Sequence, residues 1–217
     1  MVHLTTYRTR EEWICNRTTL GGSDAPVVMG LCKYRTPFTL WKEKCGYTGP
    51  EAIEKRPFVA YGRNIAPTLR EAFRYHHPEL AVGFEDHNMW TNDRIPFAHA
   101  SLNGWMEDQN GKHGALFLKN TEITTKAQAA EWITMPESYY WQIIHSLMVT
   151  EFEFAVLFTE IKVRKADGSN EWRQVERWLY REEVQKDIND LEIKERGLWW
   201  HIEDKTEPEG EKEWKIG

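Results

Sequence analysis

Cysteine is scarce in this chain. Cys15, Cys32 and Cys45 are the only three in 217 residues, an odd set with wide, unequal gaps. They make neither a CxxC metal pair nor a disulfide framework and read as small apolar fillers. Long apolar runs are missing too: nothing approaches the roughly 18 consecutive apolar residues of a membrane-spanning helix. The opening Met1-Val2-His3-Leu4-Thr5 lacks the charged-then-apolar pattern of a signal peptide, so a cytoplasmic chain is expected. Positive charge is in deficit, with 28 Lys and Arg against 34 Asp and Glu and a net charge of −6. That excludes a protein that coats nucleic acid generally, but not an enzyme that meets DNA along one local basic groove. Repeats and low-complexity stretches are absent.

What is present suits an ordinary globule: 41 % hydrophobic and 29 % charged residues. The length predicts one domain over residues 1–203, with a flexible tail over 204–217 that is rich in Glu, Lys, Pro and Gly. Eleven tryptophans are many for this length and are expected mostly as buried or half-buried anchors. Short helices are expected at Arg10–Cys15, at Ala25–Gly30 with Ser23 or Asp24 as its cap, and from Thr36-Pro37 to Cys45-Gly46. Gly49 to Pro57 reads as a loop. The spacing of Ile65, Leu69, Ala72, Phe73 and His76 predicts a longer helix, stopped by Pro78. The period then changes. Ala81–Phe84, Asn88–Asn92, Ala98–Leu102 and Ala115–Lys119 read as short strands, with turns at Asn103-Gly104 and Asn110-Gly111. A helix over Glu137–Met148, strands over Glu153–Val163 and Glu171–Tyr180, and a helix over Arg181–Ile202 complete an α+β (α/β) arrangement.

Several ordered motifs carry a family likeness. Arg17-Thr18-Thr19-Leu20-Gly21-Gly22-Ser23-Asp24-Ala25, followed by Met29-Gly30 and Thr36-Pro37-Phe38-Thr39-Leu40-Trp41, resembles the opening of the YqaJ-type viral recombinases. These are relatives of phage lambda exonuclease within the PD-(D/E)XK nuclease fold. Gly62-Arg63-Asn64-Ile65, Ala100-Ser101-Leu102-Asn103-Gly104, Ala115-Leu116-Phe117-Leu118-Lys119, and Tyr139-Tyr140-Trp141-Gln142 with His145-Ser146-Leu147 follow in the family's order. The resemblance covers roughly Arg10 to Glu183. It implies a restriction-endonuclease-like core with a mixed central sheet flanked by helices. It also implies a 5′→3′ exonuclease on double-stranded DNA ends that depends on Mg²⁺ or Mn²⁺. Such a protein would belong to a phage or prophage in a bacterial host, work with a single-strand annealing protein, and form a homo-oligomer, a trimeric ring.

By the same resemblance Arg17 and Ser23 hold the 5′-phosphate of the DNA end, and Lys119 and Gln142 stand at the catalytic centre. The sequence departs where the family carries its metal-binding acids. Ala66 stands for the glutamate four residues after Gly62, Asn103 for the aspartate of the Asp-Gly turn, and Phe117 for the glutamate of the Glu-x-Lys strand. Hard divalent cations take charged oxygen ligands, so a chain without a working metal centre is expected, one that still binds DNA ends. Two other readings stay open. One is an active nuclease whose ligands moved to Glu71, Glu107, Asp108 or Glu122; the other is a non-catalytic scaffold or partner in recombination. Lys33-Tyr34-Arg35 reads equally as a DNA-backbone contact or a solvated loop. His76, His77 and His87 show no metal-ligand spacing.

Overall fold

The computed structural model describes residues 1–49, 57–165 and 167–208, with backbone alone at 57–59. The loop read at Gly49–Pro57 and the tail beyond residue 208 lie almost wholly outside the described residues. The chain begins with β1 (Val2–Thr6), α1 (Arg10–Asn16), β2 (Leu20–Gly21), α2 (Ala25–Val28), α3 (Pro37–Lys44) and α4 (Pro57–His76). Then come β3 (Ala81–Gly83), β4 (Asn88–Asn92), β5 (Ala98–Ala100), β6 (Gly104–Glu107) and β7 (His113–Ile123). It closes with α5 (Lys126–Glu131), α6 (Glu137–Thr150), β8 (Phe154–Arg164), β9 (Asn170–Tyr180) and α7 (Gln185–Asp204).

The mixed α+β arrangement expected from the sequence is present, but its strands divide into two sheets. One has the order β1-β4-β5-β2, the other β3-β6-β7-β8-β9. β7 and β8 run parallel, which requires a crossover; α5 and α6 supply it. Residues 143–150 of α6 are all buried, and the helix packs against strands of both sheets and against α2 and α7. Its apolar residues therefore occupy the space between the layers rather than one stripe facing one neighbour.

The period-two alternation of β7 separates two cores. Ala115, Phe117 and Ile123 join the cluster built around α6, with Ile143, Ile144 and Leu147. Leu116 and Leu118 join the cluster under α4, with Leu69, Phe73 and Phe158. The pairing leaves no room at Gly114, where an added Cβ would lie 2.3 Å from the Phe154 ring. That ring is stacked on Trp178 at 5.8 Å and cannot swing away cheaply. Gly114→Ala is expected to cost about 1–3 kcal/mol by overpacking, read as a lower midpoint in urea unfolding.

Three local expectations are corrected. Asn103-Gly104 is a turn signal and Asn103 does bend the chain, but Gly104 already begins β6, because it pairs with Leu116 of β7. The helix after Ser23 is one turn of four residues, and its cap residue Asp24 turns its carboxylate to the Gly21 N–H instead of capping. Cys15 is exposed rather than a filler, whereas Cys32 and Cys45 pack against the core.

Candidate functional site

The turn that carries Asn103 is clamped from several sides. Asn88, buried, accepts the Leu102 N–H at 2.8 Å and donates to the Leu102 carbonyl at 2.9 Å. Arg70 donates to the Asn103 carbonyl at 2.8 Å, its guanidinium lying 3.4 Å from the centre of the Phe84 ring. Asn103 Oδ1 in turn accepts the backbone N–H of Leu118 at 3.0 Å. The side-chain oxygen of Asn103 is thus tied to β7, one residue from Lys119.

Lys119 and Gln142 come together. Lys119 Nζ donates to Gln142 Oε1 at 3.1 Å and lies 4.9 Å from the centre of the Tyr139 ring. Burial pushes its ammonium down to about 8. Phe117, two residues back on the same strand face, is 6 % exposed within the α6 cluster. Ala66 packs on the other face, against the cluster that holds Leu116 and Leu118. The structure therefore gathers Lys119, Gln142 and the Asn103 turn, and it sets Ala66 and Phe117 in two separate apolar clusters.

The acids proposed as replacements are engaged elsewhere. Glu71 pairs with Arg74, and Glu122 pairs with Lys162 at 3.3 Å and Arg164 at 2.8 Å. Asp108 closes the Asn110-Gly111 turn, accepting the N–H groups of Asn110 and Lys112 at 2.8 and 2.9 Å. Glu107 is exposed at the far end of β6, about 13 Å along an extended strand from Asn103. Among the described residues, no three His, Cys, Asp or Glu side chains gather in a metal-holding group.

Arg17 is half-buried at the end of α1, its guanidinium carbon 4.3 Å from the centre of the Trp13 ring. Its Nε donates to His99 Nε2 at 3.4 Å. Ser23 is exposed in the loop between β2 and α2. That loop lies against α6, where a Cβ on Gly22 would be 3.5 Å from the Gln142 backbone carbonyl. Below it, Asp24 pairs with Lys44 at 3.1 Å and Arg35 at 3.2 Å. Burial alone would push the Asp24 carboxyl up, but Lys44 and Arg35 outweigh it and hold the group below the usual carboxylate range. Arg35 also pairs with Glu43 at 2.7 Å, so it is a structural cation rather than part of a solvated or DNA-facing cluster. Tyr34 beside it is 86 % exposed.

Three buried residues have no counterpart among the sequence-derived candidates. His145 Nδ1 lies 2.7 Å from Glu195 Oε1, and both side chains are fully buried. His145 Nε2 donates to the His99 carbonyl at 2.9 Å. Burial opposes charge on His145, but the Glu195 carboxylate outweighs it and raises the imidazole above its usual range. His99 goes the opposite way, lowered to about 3 by burial first and the Arg17 charge second. The local signal for this pair is an acid and a histidine set on otherwise apolar helix faces, since buried charges need partners.

The fold matches that of an alkaline exonuclease, LHK-Exo from Laribacter hongkongensis, with a TM-score of 0.63 at 16 % identity over 91 % of this chain and 94 % of that one. The same exonuclease in complex with dAMP matches at 0.63 and 15 % identity over the same shares. The uncharacterized protein YqaJ of Bacillus subtilis (strain 168) is 27 % identical over 173 residues, 77 % of this chain. The chain spans about half the length of that curated relative. Among the described residues no helix is long and apolar enough to cross a membrane. The family model of the YqaJ-like viral recombinase domain matches residues 12–153, a stretch that holds Arg17, Ser23, Asn103, Lys119 and Gln142, and the chain belongs to that family.

Proposed function

We propose that this chain binds the ends of double-stranded DNA through Arg17, Ser23 and Lys119 and does not cut it, because its metal centre is disabled. The observation that carries this reading is the donor set. A Mg²⁺ ion needs several oxygen ligands in near-octahedral array, with carboxylates among them. Ala66 and Phe117 offer none and are packed among apolar side chains. The one side-chain oxygen of Asn103 accepts the Leu118 N–H. The residues at these positions do not fit a hard divalent cation. Lys119 and Gln142 remain hydrogen-bonded to each other beside the Asn103 turn.

The same substitutions favour anion binding. Three neutral residues stand where the family resemblance expects carboxylates, so the groove repels phosphate less. The partners that the resemblance implies, a single-strand annealing protein and further copies of the chain in a ring, go with this reading.

A mobility-shift titration in EDTA, with 5′-phosphorylated and 5′-hydroxyl duplexes of one sequence, tests it. Metal-independent binding is expected, tighter for the phosphorylated end and falling steeply with salt. Arg17→Ala is expected to weaken binding of the phosphorylated end about tenfold to hundredfold, the worth of a charged hydrogen bond. No binding at low salt, together with a stable complex with another protein, would move the scaffold reading into first place.

A further inference from the structure

We infer that His99 is a positioning residue that pre-sets the Arg17 guanidinium for a terminal phosphate monoester, and that the buried His145–Glu195 pair fixes His99 in place. The inference rests on the reading of Arg17 as the phosphate-holding arginine and goes beyond it in saying what aims that arginine.

The hydrogen-bond chain has one consistent proton arrangement. Arg17 Nε–H donates to His99 Nε2 at 3.4 Å, so Nε2 carries no proton. The proton of the neutral ring is therefore on Nδ1, where it faces Thr19 Oγ1 at 2.8 Å. Thr19 is tied down in turn, its carbonyl accepting from Lys44 Nζ at 2.8 Å. The backbone of His99 is held from behind by His145, and His145 by Glu195. Orientation passes from α7 through α6 and β5 to the arginine by three hydrogen bonds of side chain or backbone.

Two further features fit a positional role. Gly21 makes room for the ring: a Cβ there would sit 3.1 Å from His99 Nε2, 3.2 Å from Cε1 and 3.7 Å from an Arg17 Nη. The histidine therefore reaches the arginine across a residue without a side chain, which gives Gly21 a physical reason. The network is also costly. Among the described residues Glu195 Oε2 is buried without a hydrogen-bond partner, and a buried ion pair is weak as a stabiliser compared with apolar packing. An arginine side chain has many rotamers to lose when an anion arrives. Holding it in advance by the Trp13 ring on one face and His99 at Nε removes much of that loss and favours an anion of one shape.

The readout is the ratio of affinities for 5′-phosphorylated over 5′-hydroxyl duplex, measured in EDTA. A merely structural role would lower both affinities together and leave the ratio alone. The unaltered chain is expected to show a ratio of about tenfold to hundredfold. His99→Phe keeps the ring volume and removes the acceptor, and its ratio is expected to fall to near one, the loss falling mainly on the phosphorylated end. His99→Gln restores an oxygen acceptor near the Nε2 position and is expected to restore most of the ratio. Should His99→Phe fail to fold, Thr19→Val decides: it frees the ring's Nδ1 and is expected to lower the ratio about threefold, roughly the worth of one neutral hydrogen bond. A full ratio in His99→Phe, or in Thr19→Val where that variant decides, with a lost ratio in Arg17→Ala, overturns the positioning role alone. A ratio near one in the unaltered chain, or a full ratio in Arg17→Ala, overturns the phosphate reading beneath it.

Discussion

Replacing Glu195 with alanine is expected to destabilise the fold by about 3–5 kcal/mol, because it leaves the His145 imidazolium buried without its counter-charge. For a chain of this size, each kcal/mol is worth about 2–4 °C, so the melting temperature should fall by roughly 6–20 °C. The pair also gives the stability curve its shape. His145 is raised above its usual range, so the folded state holds a proton that the unfolded state releases first. Its contribution is complete below about pH 6.5 and is lost as pH rises through the folded value. His99, lowered to about 3, behaves in the opposite sense. Below about pH 6.5 the unfolded chain takes up a proton that folded His99 refuses, so stability falls toward acid. Each limb has a slope of at most about 1.4 kcal/mol per pH unit for its one proton. Glu195→Gln keeps the shape and removes the charge, so the alkaline limb should flatten. Melting curves from pH 5 to 9 check this, and an unchanged alkaline limb in Glu195→Gln would contradict the assignment of the buried charge to His145.

Placing acids at three positions, Ala66→Glu with Asn103→Asp and Phe117→Glu, is expected to produce Mg²⁺-dependent digestion of linear duplex DNA that EDTA abolishes. The gain over the unaltered chain should be at least about a thousandfold, since a bound metal supplies several kcal/mol of transition-state stabilisation. An aspartate at position 103 can still accept the Leu118 N–H, so that turn should survive. The cost falls at position 117. Phe117 is 6 % exposed in the α6 cluster, and losing a buried phenylalanine costs about 3–5 kcal/mol before any carboxylate is desolvated. The triple variant should therefore melt well below the unaltered chain without metal and recover part of the loss in Mg²⁺. A folded but inert variant would mean that the family's chemistry does not transfer to this chain through those positions.

The elements that were legible in the sequence are those whose apolar residues repeat. The helix of α6 and the long strand β8 are set by such runs, and β4 falls on the residues expected, Asn88–Asn92. β1 is almost wholly exposed and shows no alternation; it exists because it pairs with β4. β2 is two residues long and is defined by its pairing with β5, far away in sequence. α5 buries no residue and is held by a capping box between Thr125 and Gln128, a local signal that was there to be read. α7 starts at Gln185 rather than Arg181, because residues 181–184 form turns that close back on Tyr180 and Arg181.

The site divides in the same way. Lys119 and Gln142, far apart in sequence, were paired by family resemblance, and they do hydrogen-bond. His145 falls in the His145-Ser146-Leu147 motif but was given no role there; His99 and Glu195 belong to no motif, and the three lie 46 and 50 residues apart along the chain. Glu195 nevertheless stands on the apolar stripe of Ile188, Leu191, Leu198 and Ile202. A carboxylate at that spacing must find a cation, and the one histidine on the buried side of α6 supplies it.

The most direct measurement is digestion of 5′-phosphorylated linear duplex by the unaltered chain, followed over time in Mg²⁺, in Mn²⁺ and in EDTA, with a binding shift on the same DNA. The expected result is bound but intact DNA in all three. Metal-dependent loss of the duplex would contradict a disabled metal centre, and would mean that carboxylates elsewhere in the chain hold a metal beside Lys119.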